Sequence, residues 1–184
     1  MQRLLKLLVF LFIVFSLGFA WFAYNAYKKH PFYANKTDAV IVVGNHLREI
    51  KVAINVVKLG YTPVMFVNSN QRLKLDELLI KHGIPQEQLI TSGQIQNYSN
   101  NYLQNVSVFL KQNQVDTVRI IGDSSKISRF LLEFSLINHD IEYITYPVVI
   151  NSRTYWEIVQ EYIKYLATWF TIFIGYYGFS LSYT

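Results

Sequence analysis

The sequence predicts an α/β protein: a Rossmann-like, doubly wound parallel sheet of about five strands, carried behind an amino-terminal transmembrane helix. Three observations predict it. Short β-branched runs read as strands buried on both faces, helical patterns alternate with them, and the 21 residues from Leu7 to Tyr27 carry no charge. Strands that alternate with helices at these lengths build a parallel sheet with right-handed crossovers.

The apolar start comes first. About 20 uncharged, mostly aliphatic and aromatic residues cross the hydrocarbon core of a bilayer as a helix. Trp21, Tyr24 and Tyr27 suit the interface, and Lys28 and Lys29 close the span. A cleaved signal peptide is the competing reading, with Arg3 and Lys6 as its basic start and Gly18-Phe19-Ala20 as its cleavage site. The apolar run continues past that site and exceeds the usual signal core, which favours an anchor.

Residues 38–150 then alternate. Asp38–Gly44 is a β-branched run ending in glycine, the pattern of a central parallel strand. His46–Leu59 reads as a helix stopped by Gly60, and Pro63–Asn68 as a second strand. A helix around Lys74–His82 ends at Gly83-Ile84-Pro85, and Leu89-Ile90 is a short third strand. Asn101–Gln112 places Leu103, Val106, Phe109 and Leu110 on one helix face. Val118–Gly122, Ser125–Ile137 and Ile141–Tyr146 complete the series as strand, helix and strand. With strand order 3-2-1-4-5, the loops after the first and fourth strands share one cleft, the place where such sheets bind ligands.

The organisation is therefore an anchor over 1–30, a tether over 31–37, the α/β domain over 38–150 and an apolar carboxyl-terminal helix over 151–184. Residues 165–184 carry no charge but are diluted by threonine, serine and glycine. A second membrane span and a helix packed on the domain or lying in the interface both remain open.

Composition narrows the function. At 52% hydrophobic and 16% charged residues the chain is too apolar to be disordered. The net charge of +5 comes from Arg3, Lys6, Lys28, Lys29 and Lys36, and from Thr37 onward acids and bases cancel. The basicity thus flanks the membrane helix, where it meets anionic headgroups, and nucleic acid is not an expected partner. The chain has no cysteine, so disulfides and thiol chemistry are excluded. Its four histidines show no metal-ligand spacing, there is no GxGxxG, P-loop or GxSxG motif, and neither metal nor cofactor is expected.

The candidate binding residues lie in three loops. Gly44 and Asn45 follow the first strand, where a glycine lets backbone approach a ligand and the next helix offers N–H groups. Simple chain reversal explains them equally well. Ser99, Asn101 and Asn105 crowd a helix start beyond what capping requires. Lys126 and Arg129 stand three residues apart at another helix start, an arrangement that favours an anion, or an ordinary capped surface helix.

Taken together these stretches resemble the YdcF, SanA and ElyC family of bacterial envelope proteins. Asp38–Gly44 is similar to that family's first strand, Ala53–Gly60 to the end of its first helix, and Leu79–Pro85 to its L-x-x-x-G-V-P. Ser99–Asn105 resembles its S-x-N-T-x-E-N, and Gly122–Arg129 its T-S-x-x-H-x-x-R, over a region from about Asp38 to Val149. The departures are Gln104 for the glutamate, Lys126 for the histidine, Gly122 for the threonine, and Asn45 and His46 for two glycines. An acidic residue after the second strand is also replaced, near Gln71. Loss of a carboxylate and an imidazole removes the obvious general acid and base.

The resemblance implies a single-pass protein of the bacterial inner membrane with its domain in the periplasm, supporting cell-wall or barrier integrity. Its expected partners are membrane lipid, an anionic or nucleotide-like small molecule, and envelope proteins. An enzyme acting on a phosphorylated envelope precursor or lipid carrier is the other expectation.

Overall fold

The computed structural model describes residues 2–28, 34–44, 46–67, 72–92, 102–137, 140–150 and 154–181. Helix α1 (Gln2–Tyr27) leads into β1 (Ala39–Val42), α2 (Leu47–Lys58), β2 (Val64–Val67), α3 (Arg72–His82), a 3-10 turn at Gln86–Gln88 and β3 (Leu89–Thr91). Next come α4 (Tyr102–Gln112), β4 (Thr117–Asp123), α5 (Ile127–Ile137), β5 (Glu142–Val148) and α6 (Tyr155–Leu181). Every sheet pairing is parallel, as the alternation of patterns predicts, and the strand order is β3-β2-β1-β4-β5, the order on which a shared cleft depends.

The period-2 alternation of a strand sends neighbouring side chains to opposite faces, and each face has its own core. Val40, Val42, Met65, Val67 and Ile121 meet α2 and α3 on one side. Ala39, Ile41, Phe66, Val118 and Ile120 meet α4 and α5 on the other. β1 is fully buried because it is central and covered twice, which is why its sequence is a continuous AVIV. β5 is an edge strand, and only there does the sheet accept a proline, Pro147.

α2 stops in a Schellman motif. Gly60 takes φ +74°, its N–H bonds the Val57 carbonyl at 2.9 Å, and the Tyr61 N–H bonds that of Val56 at 3.2 Å. At the amino edge of the sheet Arg119 is fully buried and donates to the Asn35 carbonyl, pinning the tether. Burial pulls its pKa down and the nearby Tyr146 and Tyr61 oppose that shift.

α1 is long and apolar enough to cross a membrane. Its residues from Leu4 to Leu17 are largely exposed, whereas Phe22 and Ala26 are buried against the rest of the protein. Ser124, just past β4, donates its hydroxyl to the Ala26 carbonyl, so the end of α1 sits at the carboxyl edge of the sheet. The apolar tail is a 27-residue helix, α6, packed on both α5 and α1.

Candidate functional site

The strand order reverses between β1 and β4. α2 leaves β1 toward one face and α5 leaves β4 toward the other, so the carboxyl ends of the two strands open into a crevice. A cleft of ≈ 510 Å³ lies there, lined by Gly44, His46 and Glu49 from the β1 side, and by Asp123, Ser125 and Lys126 from the β4 side. Ile150 follows β5, and Glu157, Gln160, Glu161 and Lys164 of α6 form the remaining wall.

Local chemistry explains each wall. His46 caps α2: its Nδ1 accepts from the Arg48 N–H at 3.3 Å, and Glu49 Oε2 accepts from the His46 N–H at 3.0 Å. This is a capping box with histidine in the usual serine position. Glu49 is 1% exposed, and it lies over Gly44 so closely that a Cβ there would sit 2.1 Å from Oε2. A side chain at this position would therefore displace the Glu49 carboxylate from its cap.

On the β4 side, Asp123 Oδ1 accepts from the Ser125 N–H at 3.0 Å and from its hydroxyl at 3.3 Å, which turns the chain into α5. On the third wall Thr154 and Glu157 form a second capping box at the start of α6, with bonds of 3.1 and 3.4 Å. Beneath the cleft the Tyr102 hydroxyl donates to the Val42 carbonyl at 3.2 Å. Burial, reinforced by the charge of Glu49, pushes its pKa well up, so Tyr102 stays a neutral donor at physiological pH.

The expected binding residues divide. Gly44 and Lys126 line the cleft, and among the described residues Lys126 has no carboxylate partner. Arg129 does: its guanidinium pairs with Glu133 at 2.9 Å and Glu161 at 3.3 Å and lies 4.4 Å from the centre of the Phe130 ring. Glu161 also holds Lys164 at 2.8 Å. Asn105 is buried on α4 and is not part of the cleft lining. Asn45, Ser99 and Asn101 lie outside the described residues.

Three carboxylates on the cleft wall are not foreseen from the sequence, Glu49, Glu157 and Glu161, whereas Asp123 lies in the loop after the fourth strand that the expected strand order places at the cleft. Two had a signal, since Glu49 and Glu157 each stand three residues after a capping position. Glu161 had a fainter one, a charge pair with Lys164 on one face of an otherwise apolar tail. Among the described residues, no three His, Asp or Glu gather as a metal site.

Fold and cleft define the class: an α/β protein with a doubly wound parallel sheet, a crevice at the strand-order switch and an amino-terminal helix fit to cross a membrane. No family model matches the chain. It is similar to two uncharacterized rickettsial proteins. RP875 of Rickettsia prowazekii (strain Madrid E) is 25% identical over 88% of this chain and 95% of its own length. RC1356 of Rickettsia conorii (strain ATCC VR-613 / Malish 7) is 23% identical over 88% of this chain and 95% of its own length.

Proposed function

We propose that this is a membrane-anchored protein of the bacterial envelope, related to the YdcF, SanA and ElyC proteins, whose cleft binds a phosphate-bearing, nucleotide-like ligand presented at the membrane surface. The observation that carries the reading is the position of the cleft. It opens at the strand-order switch, beside the loop whose Ser124 hydroxyl bonds the last turn of α1. An anchor that ends against its own binding site holds that site at the level of lipid headgroups.

The lining fits a ligand of mixed polarity. Lys126 offers a cation to a phosphate, while Asp123 and Glu157 accept from sugar hydroxyls. Arg129, tied to two glutamates, orders the α5–α6 wall instead. The inner membrane as location and the periplasm as the side of the domain follow from the resemblance, as does support of barrier integrity. A second reading, an enzyme acting on a phosphorylated envelope precursor or lipid carrier, is favoured by the carboxylates Asp123 and Glu157, either able to serve as a general base.

Calorimetric titration of the full chain in detergent with UDP, ADP and inorganic phosphate tests the binding. At least one of them should bind, and Lys126→Ala should weaken it about tenfold, as befits one charge-assisted hydrogen bond. No binding by any of the three, or equal binding by the variant, overturns the reading. Release of phosphate from UDP, lost in Asp123→Asn, would decide for the enzyme.

A further inference from the structure

α6 and α1 meet in a way that says where the second half of α6 goes. The Tyr162 ring lies 5.2, 5.6 and 5.3 Å from those of Phe15, Phe19 and Phe22, and its hydroxyl donates to the Phe15 carbonyl at 3.4 Å. The contact is fitted, because a Cβ on Gly18 would sit 2.4 Å from that hydroxyl. One turn before, Ile158 clusters with Phe22; one turn after, Leu166 shares an apolar groove with Leu11, Phe12 and Phe15. As α6 advances from 158 to 166 its partners on α1 recede from 22 toward 11. The two helices are antiparallel.

We infer that α6 from Tyr165 onward is a second membrane-spanning segment, so that α1 and α6 form a helical hairpin and the protein crosses the bilayer twice. With residue 162 level with 18, a rise of 1.5 Å per residue on both helices brings residue 178 level with Gln2 and Leu181 about one turn beyond it. By the same register Lys164 is level with residue 16, so the uncharged part of α6 runs beside the part of α1 that precedes Leu17. The lipid bilayer is the occupant of the outer surface of α6 because that surface continues the one α1 presents: Trp169, Phe170, Phe173 and Ile174 are 49–65% exposed.

Of the two helices only α1 is apolar enough to cross a membrane on its own, and what α6 offers is an uncharged stretch from Tyr165 onward. No charge follows Lys164, so the polar face that an interfacial helix needs is missing. The two threonines that dilute its first turns are satisfied internally, since the Thr168 and Thr171 hydroxyls donate to the Lys164 and Ala167 carbonyls at 3.0 and 2.9 Å. Alone, α6 is less apolar than α1; beside α1, one of its flanks is already covered. The Arg129–Glu161–Lys164 cluster marks the last charged level before the hydrocarbon.

The absence of cysteine makes the test direct. Gln2→Cys, Lys58→Cys and Leu181→Cys are expressed as full chains in intact cells and treated with a membrane-impermeant maleimide, before and after permeabilisation. Leu181→Cys should follow Gln2→Cys and differ from Lys58→Cys by at least tenfold in labelling rate. Phe170→Cys should label only after detergent. Leu181→Cys labelling from the same side as Lys58→Cys, or Phe170→Cys labelling as fast as Lys58→Cys in intact membranes, overturns the second span. Gln2→Cys and Lys58→Cys reporting the same side would remove the anchor along with it.

Discussion

At its amino end the β1–β4 pair is closed by Asp38, whose Oδ2 accepts from the Thr117 N–H and hydroxyl, both at 2.8 Å, and from the Asp116 N–H at 3.1 Å. At its carboxyl end the same two strands part, and the carboxylates beside that gap, Glu49 capping α2 and Asp123 holding the turn before α5, also line a cleft. The difference comes from the crossovers. Both strands are entered side by side, but α2 and α5 depart to opposite faces, so only the carboxyl end is left with a gap. Acidic residues at the two ends look alike in the sequence; their position relative to the switch in strand order decides which can meet a ligand.

The strongest way to break this contrast is Gly44→Val. The new side chain would collide with the Glu49 carboxylate and force it off the capping box. Overpacking of this kind costs roughly 1–3 kcal/mol, and the lost cap adds about 1 kcal/mol. The urea midpoint of the full chain in detergent should fall accordingly, and nucleotide binding should be lost with it. An unchanged midpoint would show that Glu49 does not hold that position.

Glu161→Gln comes next. Its carboxylate is 7% exposed and joins Arg129, at 17%, to the exposed Lys164. Breaking a fully buried pair costs roughly 3–5 kcal/mol and a surface pair under about 1 kcal/mol. Arg129 keeps Glu133, so a loss of about 1–2 kcal/mol is expected, read as a lower unfolding midpoint that narrows in high salt. Binding should weaken too if α6 is a true wall of the cleft; a stability loss without a binding loss would confine Glu161 to joining α5 with α6.

The alternation of AVIV, VMFV and TVRIIGD with helical patterns made the parallel sheet legible, because buried parallel strands and amphipathic helices leave periods in the sequence, whereas the order of the strands leaves none. The site was legible only in part. Gly44 and Lys126 stand where the switch puts them, and the Arg129–Glu133 pair is an i,i+4 pair that the sequence shows, but the pair with Glu161 joins residues 32 positions apart, and no local pattern reports such a pairing. The same holds for the seam between Gly18 and Tyr162, where Gly18 reads as part of a signal cleavage site until the partner helix is in view.

The smallest effect belongs to the amino end. The hydrogen bond from the Thr117 backbone, followed by that from its hydroxyl, lowers the pKa of Asp38, with a further backbone bond from Asp116 and against a modest opposing effect of burial. A carboxylate whose pKa is lower folded than unfolded contributes stability above its unfolded pKa of about 4, and that contribution disappears as pH falls through the folded value. Asp38→Asn keeps an acceptor and loses the charge. The variant should therefore unfold slightly earlier than the wild type at neutral pH, and the two curves should converge as the pH drops below about 4. Binding of UDP, ADP or phosphate should not change, because Asp38 lies at the far end of β1 from the cleft. A binding defect in Asp38→Asn with stability intact would break the contrast between the two ends, since a charge at the closed end would then be acting on the open one.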